Sequence, residues 1–225
     1  MAIAEGPTAD VGNRQWYIVG RWQEYEGEER ANLIRVIAIG AFYIVELFSY
    51  YGVSLGVIQF PRIHDAVYHR AITALAVAGV MVALAIQLSL RRQFFPASLK
   101  FISTGCDLLL LTCTILIGIG PRSPLVAGYF LVIALAALRF NLPLVRFTTA
   151  GAMAGYLVVL GYVKWFAALG VQETLSVPRY HQMIVLLTLG LIGITLGQII
   201  RRVRSLAEEY MARLSRASGS ETPTS

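Results

Sequence analysis

Residues 33–52 read LIRVIAIGAFYIVELFSYYG, and this stretch decides the fold. A helix rises about 1.5 Å per residue and the hydrocarbon core of a bilayer is about 30 Å, so a run of this length can cross it. It also carries a carboxylate, Glu46, in its second half. An acid inside a span costs about 2.5–3.5 kcal/mol on insertion scales, so it belongs against protein or water, away from lipid. On a helix Tyr43, Glu46, Ser49 and Tyr50 follow one another at i, i+3, i+6 and i+7, which is a single stripe. The stripe predicts a helix that turns its polar side into a bundle, with its outer end near other polar groups.

Five more apolar runs follow, at residues 71–90, 101–120, 125–138, 147–169 and 183–200. The fourth is short and would borrow residues 140–144 to cross, with a re-entrant segment as the alternative. The composition agrees with a polytopic membrane protein: of 225 residues, 56% are hydrophobic, only 14% are charged and the mean hydropathy is +0.64. A soluble domain of this length carries nearer 25% charge. The net charge of +6 does not point to nucleic acid, because the basic residues stand at the ends of the apolar runs. With both termini inside, fourteen of the nineteen Lys and Arg fall in cytoplasmic segments and four in outer loops. The positive-inside rule thus predicts an all-α, six-helix transmembrane bundle, N-in and C-in, in the bacterial inner membrane.

Outside the bundle the composition changes twice. Residues 1–32 begin acidic and polar, with no basic region followed by an apolar one as in a cleaved signal peptide. They continue with Trp16, Tyr17, Trp22 and Tyr25 among charges, the pattern of an amphipathic segment lying at the membrane interface or of a protein-docking surface. Residues 201–216, RRVRSLAEEYMARLSR, space Val203, Leu206, Tyr210 and Leu214 by three and four, which makes a short amphipathic cytoplasmic helix leaving the sixth span. Residues 217–225 are Ser-, Thr- and Pro-rich and read as a disordered tail. The transmembrane domain itself is residues 33–200. Within it LRRQFFPASLKF (90–101) and LRFNLPLVRF (138–147) echo one another, each joining Leu-Arg to a proline and ending on a basic residue and Phe.

Three sets of residues could carry chemistry. His64, His69 and His181 all fall on the outer side by this topology, with Glu46 and Asp65, and form a candidate ligand or metal set. A structural cluster at the membrane surface would use the same residues, and histidines there could instead hold haem. Asp107, two turns into the third span, has Arg139 as its natural intramembrane partner, structural first and a proton or ion path second. Gly151 and Gly155 in the fifth span, with Gly193 and Gly197 in the sixth, are spaced for close helix packing. His181, Thr188, Thr195 and Gln198 form a second polar line. Cys106 and Cys113 are seven residues apart on one helix, roughly 10 Å, too far for a disulfide, and read as small packing residues. Gly-rich phosphate loop, nucleophile elbow, CxxC and HExxH are all missing from the sequence.

From Leu33 to about Arg216 the layout resembles the six-span membrane anchors and sensors that precede bacterial cyclases and histidine kinases. The resemblance lies in six short-looped spans and the exit helix QIIRRVRSLAEEYMARL, and it implies a module that passes a signal onward. In such proteins the exit helix feeds a catalytic domain; here the sequence stops after it. The expectation is a non-enzymatic sensory or anchoring module, or an accessory subunit, with lipid and other membrane subunits or further copies of itself as partners. A small transporter or channel using Glu46 and Asp107, or a haem- or quinone-binding redox subunit, remains open, and no cofactor is specified.

Overall fold

The computed structural model describes residues 7–55, 58–59, 66–92, 98–168 and 177–219, with side chains for residues 27–53, 66–92, 98–165 and 177–213. His64, Asp65, the aromatic side chains of residues 7–26, the Leu214 side chain and residues 220–225 lie outside them. Among the described residues the protein is helical apart from a two-residue antiparallel ladder, β1 (Ser54–Leu55) with β2 (Ile58–Gln59), which begins the connection after the first helix.

Five helices are long and apolar enough to cross a membrane: α1 (Pro7–Tyr51), α2 (Ala66–Arg91), α3 (Leu99–Ile117), α5 (Leu142–Ala168) and α6 (Arg179–Gly219). In α1 the apolar part is Gly27–Tyr51. No break separates it from residues 7–26, so the N-terminal segment does not turn into a separate interfacial helix. It prolongs the first span along its own path, and the 45-residue helix is roughly 67 Å long. The helix expected to leave the sixth span at residue 201 continues it without a break, α6 being one helix of 41 residues.

The fourth apolar run behaves differently. Two short 3-10 turns, Gly120–Arg122 and Pro124–Ala127, lead into α4 (Gly128–Ala137), only ten residues and roughly 15 Å of helix. Pro121 and Pro124 sit at the start of the two turns, where proline keeps φ fixed and has no N–H to lose. At the other end Leu138, Arg139 and Phe140 form a turn in which Phe140 takes a positive φ of 48°. Asn141 then caps α5: its Oδ1 accepts the Leu144 N–H at 3.1 Å. Residues 142–144 therefore open α5 and do not extend the fourth crossing.

This short helix is the centre of the bundle. Tyr129, Val132 and Ile133 are buried with Ile115 of α3, Tyr156 and Val159 of α5 and Leu189 of α6, and Ala136 is buried in a second cluster with Leu144 and Val145 of α5 and Ile200 of α6. Irregular backbone at membrane depth is tolerated when protein covers it, and α3, α5 and α6 cover α4. The glycine pairs make that wrapping possible. A Cβ on Gly155 would stand 2.8 Å from Thr112 Oγ1 and 2.9 Å from Tyr129 Oη, and one on Gly193 would collide with Thr149. Gly151 faces Leu108 of α3, while Gly197 faces Leu142 of α5. The two pairs thus serve two interfaces, α5 against α3 and α6 against α5. Phe101 and Phe147, the residues that end the two echoing sequences, meet edge to face at 5.5 Å.

The α1–α2 hairpin stands to one side. It packs through α2 on α3, and α1 touches α4 little; Ile72, Gly79, Ala83, Ile86 and Leu90 of α2 are buried, Gly79 between Ile39 of α1 and Leu110 of α3. One end of the bundle gathers the end of α2, the start of α3 and the α4–α5 turn, and is called the basic end; the other, where α1 joins α2, is the histidine end.

Candidate functional site

At the basic end α1 buries a polar stripe. Glu28, Asn32 and Arg35 are spaced i, i+4 and i+7, so one face of the helix carries all three, and Glu28 is only 1% exposed. Arg35 makes a two-pronged contact with Asp107 of α3: Nε donates to Oδ1 and Nη2 to Oδ2, both at 2.7 Å. Its Nη1 donates to Asn32 Oδ1 at 2.7 Å, and Asn32 Nδ2 donates onward to Ala83 O and Gln87 Oε1 of α2. Arg139 donates through Nη2 to Glu28 Oε1 at 2.8 Å and through Nη1 to Thr104 Oγ1 at 2.7 Å and Lys100 O at 3.1 Å. Burial lowers the Arg139 guanidinium from its ordinary value, and the Glu28 carboxylate opposes that by holding it charged.

The expected pair of Asp107 with Arg139 is therefore corrected. Both belong to one buried cluster, but Asp107 takes Arg35 and Arg139 takes Glu28. The sequence reading placed residue 28 in the interfacial segment 1–32 and counted Arg35, near the start of the first apolar run, only as a cytoplasmic charge. Because α1 continues unbroken below residue 33, both are carried into the bundle. The spacing of Glu28, Asn32 and Arg35 was the available signal.

At the histidine end, Glu46 meets His69 of α2. The imidazole Nδ1 lies 3.0 Å from Oε2 and 3.3 Å from Oε1. Tyr50 stacks on the imidazole with ring centres 4.0 Å apart, and Tyr43 stands 6.4 Å from it on a nearly parallel plane. Tyr43 Oη is 3.1 Å from Thr73 Oγ1, whose hydroxyl donates to the His69 carbonyl at 2.8 Å. The stripe read from residues 43–50 thus closes around one histidine.

His181 does not join them. It is exposed at the start of α6 and lines a separate cavity of about 400 Å³ with Arg122, Pro178 and Tyr180. Among the described residues no three His, Cys, Asp or Glu side chains converge to hold a metal ion, and His64 lies outside those residues. The α6 line of Thr188, Thr195 and Gln198 is exposed also. Thr188 and Thr195 donate to the carbonyls of Ile184 and Leu191, four residues back, which satisfies each hydroxyl within its own helix. That line lines no interior path. Cys106 and Cys113 are free and half-buried.

Between the two polar ends lies a cavity of about 640 Å³, enclosed by α1, α2, α3 and α4. Its wall is mainly apolar, Arg35 and Asp107 touch it at one end, and Glu46 and Ser49 touch it near the other. Val203, Leu206 and Tyr210 on the far part of α6 are exposed, and none packs on the bundle.

No protein-family model matches the sequence, and no curated protein or solved structure is detectably similar to it. The functional argument therefore stands on the geometry alone.

Proposed function

We propose that the protein is a non-enzymatic, multi-pass module of the bacterial inner membrane, both termini in the cytoplasm, that senses or anchors and passes its state to a partner through α6. The observation that carries this reading is the continuity of Arg179–Gly219. The same helix packs Leu189 and Ile200 in the bundle and then leaves it, exposed at every residue from Arg201 to Arg213. Its apolar residues, Val203, Leu206 and Tyr210, hold one edge with spacings of three and four. Such an edge is the form in which helices pair, and a second copy of the chain is the partner that symmetry favours.

Single cysteines test this in membranes, in a Cys106→Ser, Cys113→Ser background. Oxidation should cross-link two chains at positions 203, 206 and 210 and far less at 204 and 208. Uniform cross-linking, or none, would reject a paired exit helix. Reporters fused after Ser98 and Arg204 should read cytoplasm, and one after Arg122 the outside. A reversed reading after Arg122 would mean that the short α4 does not complete a crossing.

A further inference from the structure

The large cavity is long and one-sided. Along α1 its wall runs from Arg35 to Ser49, roughly 21 Å of helix. Its volume, about 640 Å³, lies within the range of small-molecule sites, about 300–1,000 Å³. Ile39, Ile72, Leu110 and Leu131 are typical of the wall. Phe42, Val45 and Ile119 frame it and are each about half exposed, so in a bilayer its mouth faces acyl chains.

Three charged side chains reach this wall, and they differ. Arg35 and Asp107 answer each other through two hydrogen bonds and form a neutral floor. Glu46 has its partner outside the wall, because His69 lies behind it on α2. The carboxylate is thus the feature of the cavity that an incoming head group has to match. An acid there would set two carboxylates side by side, which is unfavourable, whereas an ammonium adds an opposite charge and donors. Tyr43 and Tyr68 also line the wall, and aromatic rings beside a carboxylate favour a cation over an anion.

We propose that this cavity binds a single-chain amphiphile with an ammonium head, admitted sideways from the bilayer, its chain lying along α1 toward the Arg35–Asp107 floor and its head at Glu46. The site is separate from the exposed edge of α6, so the cross-linking experiment and the binding experiment fail independently.

The test uses the full chain in phosphatidylcholine nanodiscs and radiolabelled hexadecylamine, with empty nanodiscs as the background. Saturable binding of one amine per chain is expected, with hexadecanol competing about tenfold less well and hexadecanoate less again, the factor for losing one charge-assisted contact. Phosphatidylethanolamine should not compete, since its phosphate brings a negative charge and its second chain exceeds the cavity. Glu46→Gln keeps the size and hydrogen bonding of the side chain. It should weaken amine binding about tenfold, to the level of the alcohol, and leave the alcohol unchanged. Leu110→Trp should block both probes, and Ala76→Phe does the same from α2 if the first variant does not fold. Equal competition by hexadecanoate, undiminished amine binding to Glu46→Gln, or no saturable binding above empty nanodiscs would each overturn the proposal.

Discussion

The two ends of α1 are fastened in different ways. At the basic end Glu28 and Arg35 reach past the neighbouring hairpin arm to Arg139 and to Asp107, so α1 is tied to α4–α5 and α3. At the histidine end, among the described residues, Glu46 is tied to α2, its own hairpin partner. The first fastening joins the α1–α2 hairpin to the rest of the bundle, and the second only holds the hairpin together. Where the first operates, helices close up around a polar cluster. Where it is absent, the hairpin and α3–α4 part, and the cavity opens between them. Charged contacts in this protein set where it is shut and where it has room.

The sharpest way to break this contrast is Arg139→Ala. It leaves the Glu28 carboxylate buried without its cation, and the loss should be about 3–5 kcal/mol of unfolding free energy in detergent. Glu28→Leu combined with Arg139→Leu should recover most of that loss. A cycle of Asp107→Asn with Arg139→Ala should show much weaker coupling than the Glu28–Arg139 cycle. Equal coupling would mean that the four charges act as one undivided group. At the other end the Glu46–His69 cycle, using Glu46→Leu and His69→Ala, should give a coupling of about 1.5 kcal/mol. This pair crosses only the hairpin, so its loss should leave cross-links between α1 and α3 at the basic end unchanged. Tyr43→Phe removes a single neutral hydrogen bond to Thr73 and should cost about 0.5–1 kcal/mol, the smallest change of the set. A Tyr43 effect as large as that of Arg139 would erase the distinction between the two ends.

Hydropathy alone was enough to read the all-helical class and the five long apolar helices, because length and composition decide whether a helix can cross a bilayer. It marked the fourth run as short but could not say what surrounds it. Residues such as Leu131, Val132 and Ile133 are equally apolar whether lipid or protein surrounds them, and only the prolines before α4 and the Asn141 cap after it fix its length. Helical spacing made the stripe at Tyr43, Glu46 and Tyr50 legible, but only the packing of α1 on α2 selects His69 as its partner. The same spacing at Glu28, Asn32 and Arg35 was passed over, because charges beside a span were treated as orientation signals in water. His181 was grouped with His69 by side of the membrane, a one-dimensional criterion that says nothing about which helix faces which.

Past Gly197, α6 continues to Gly219 without a proline or another glycine, the residues at which helices most readily bend. The nineteen residues beyond Ile200 form an arm of roughly 28 Å. A tilt of about 5° where Gly193 rests on Thr149 would sweep the tip of the helix, roughly 39 Å further on, sideways by about 3.4 Å. Contact at Gly193 allows no added side chain, so the pivot has little slack. On this geometry a tilt too small to repack α4 would be carried by a stiff helix to the far end of α6 as a shift of more than half a helical turn's rise, about 3.4 Å.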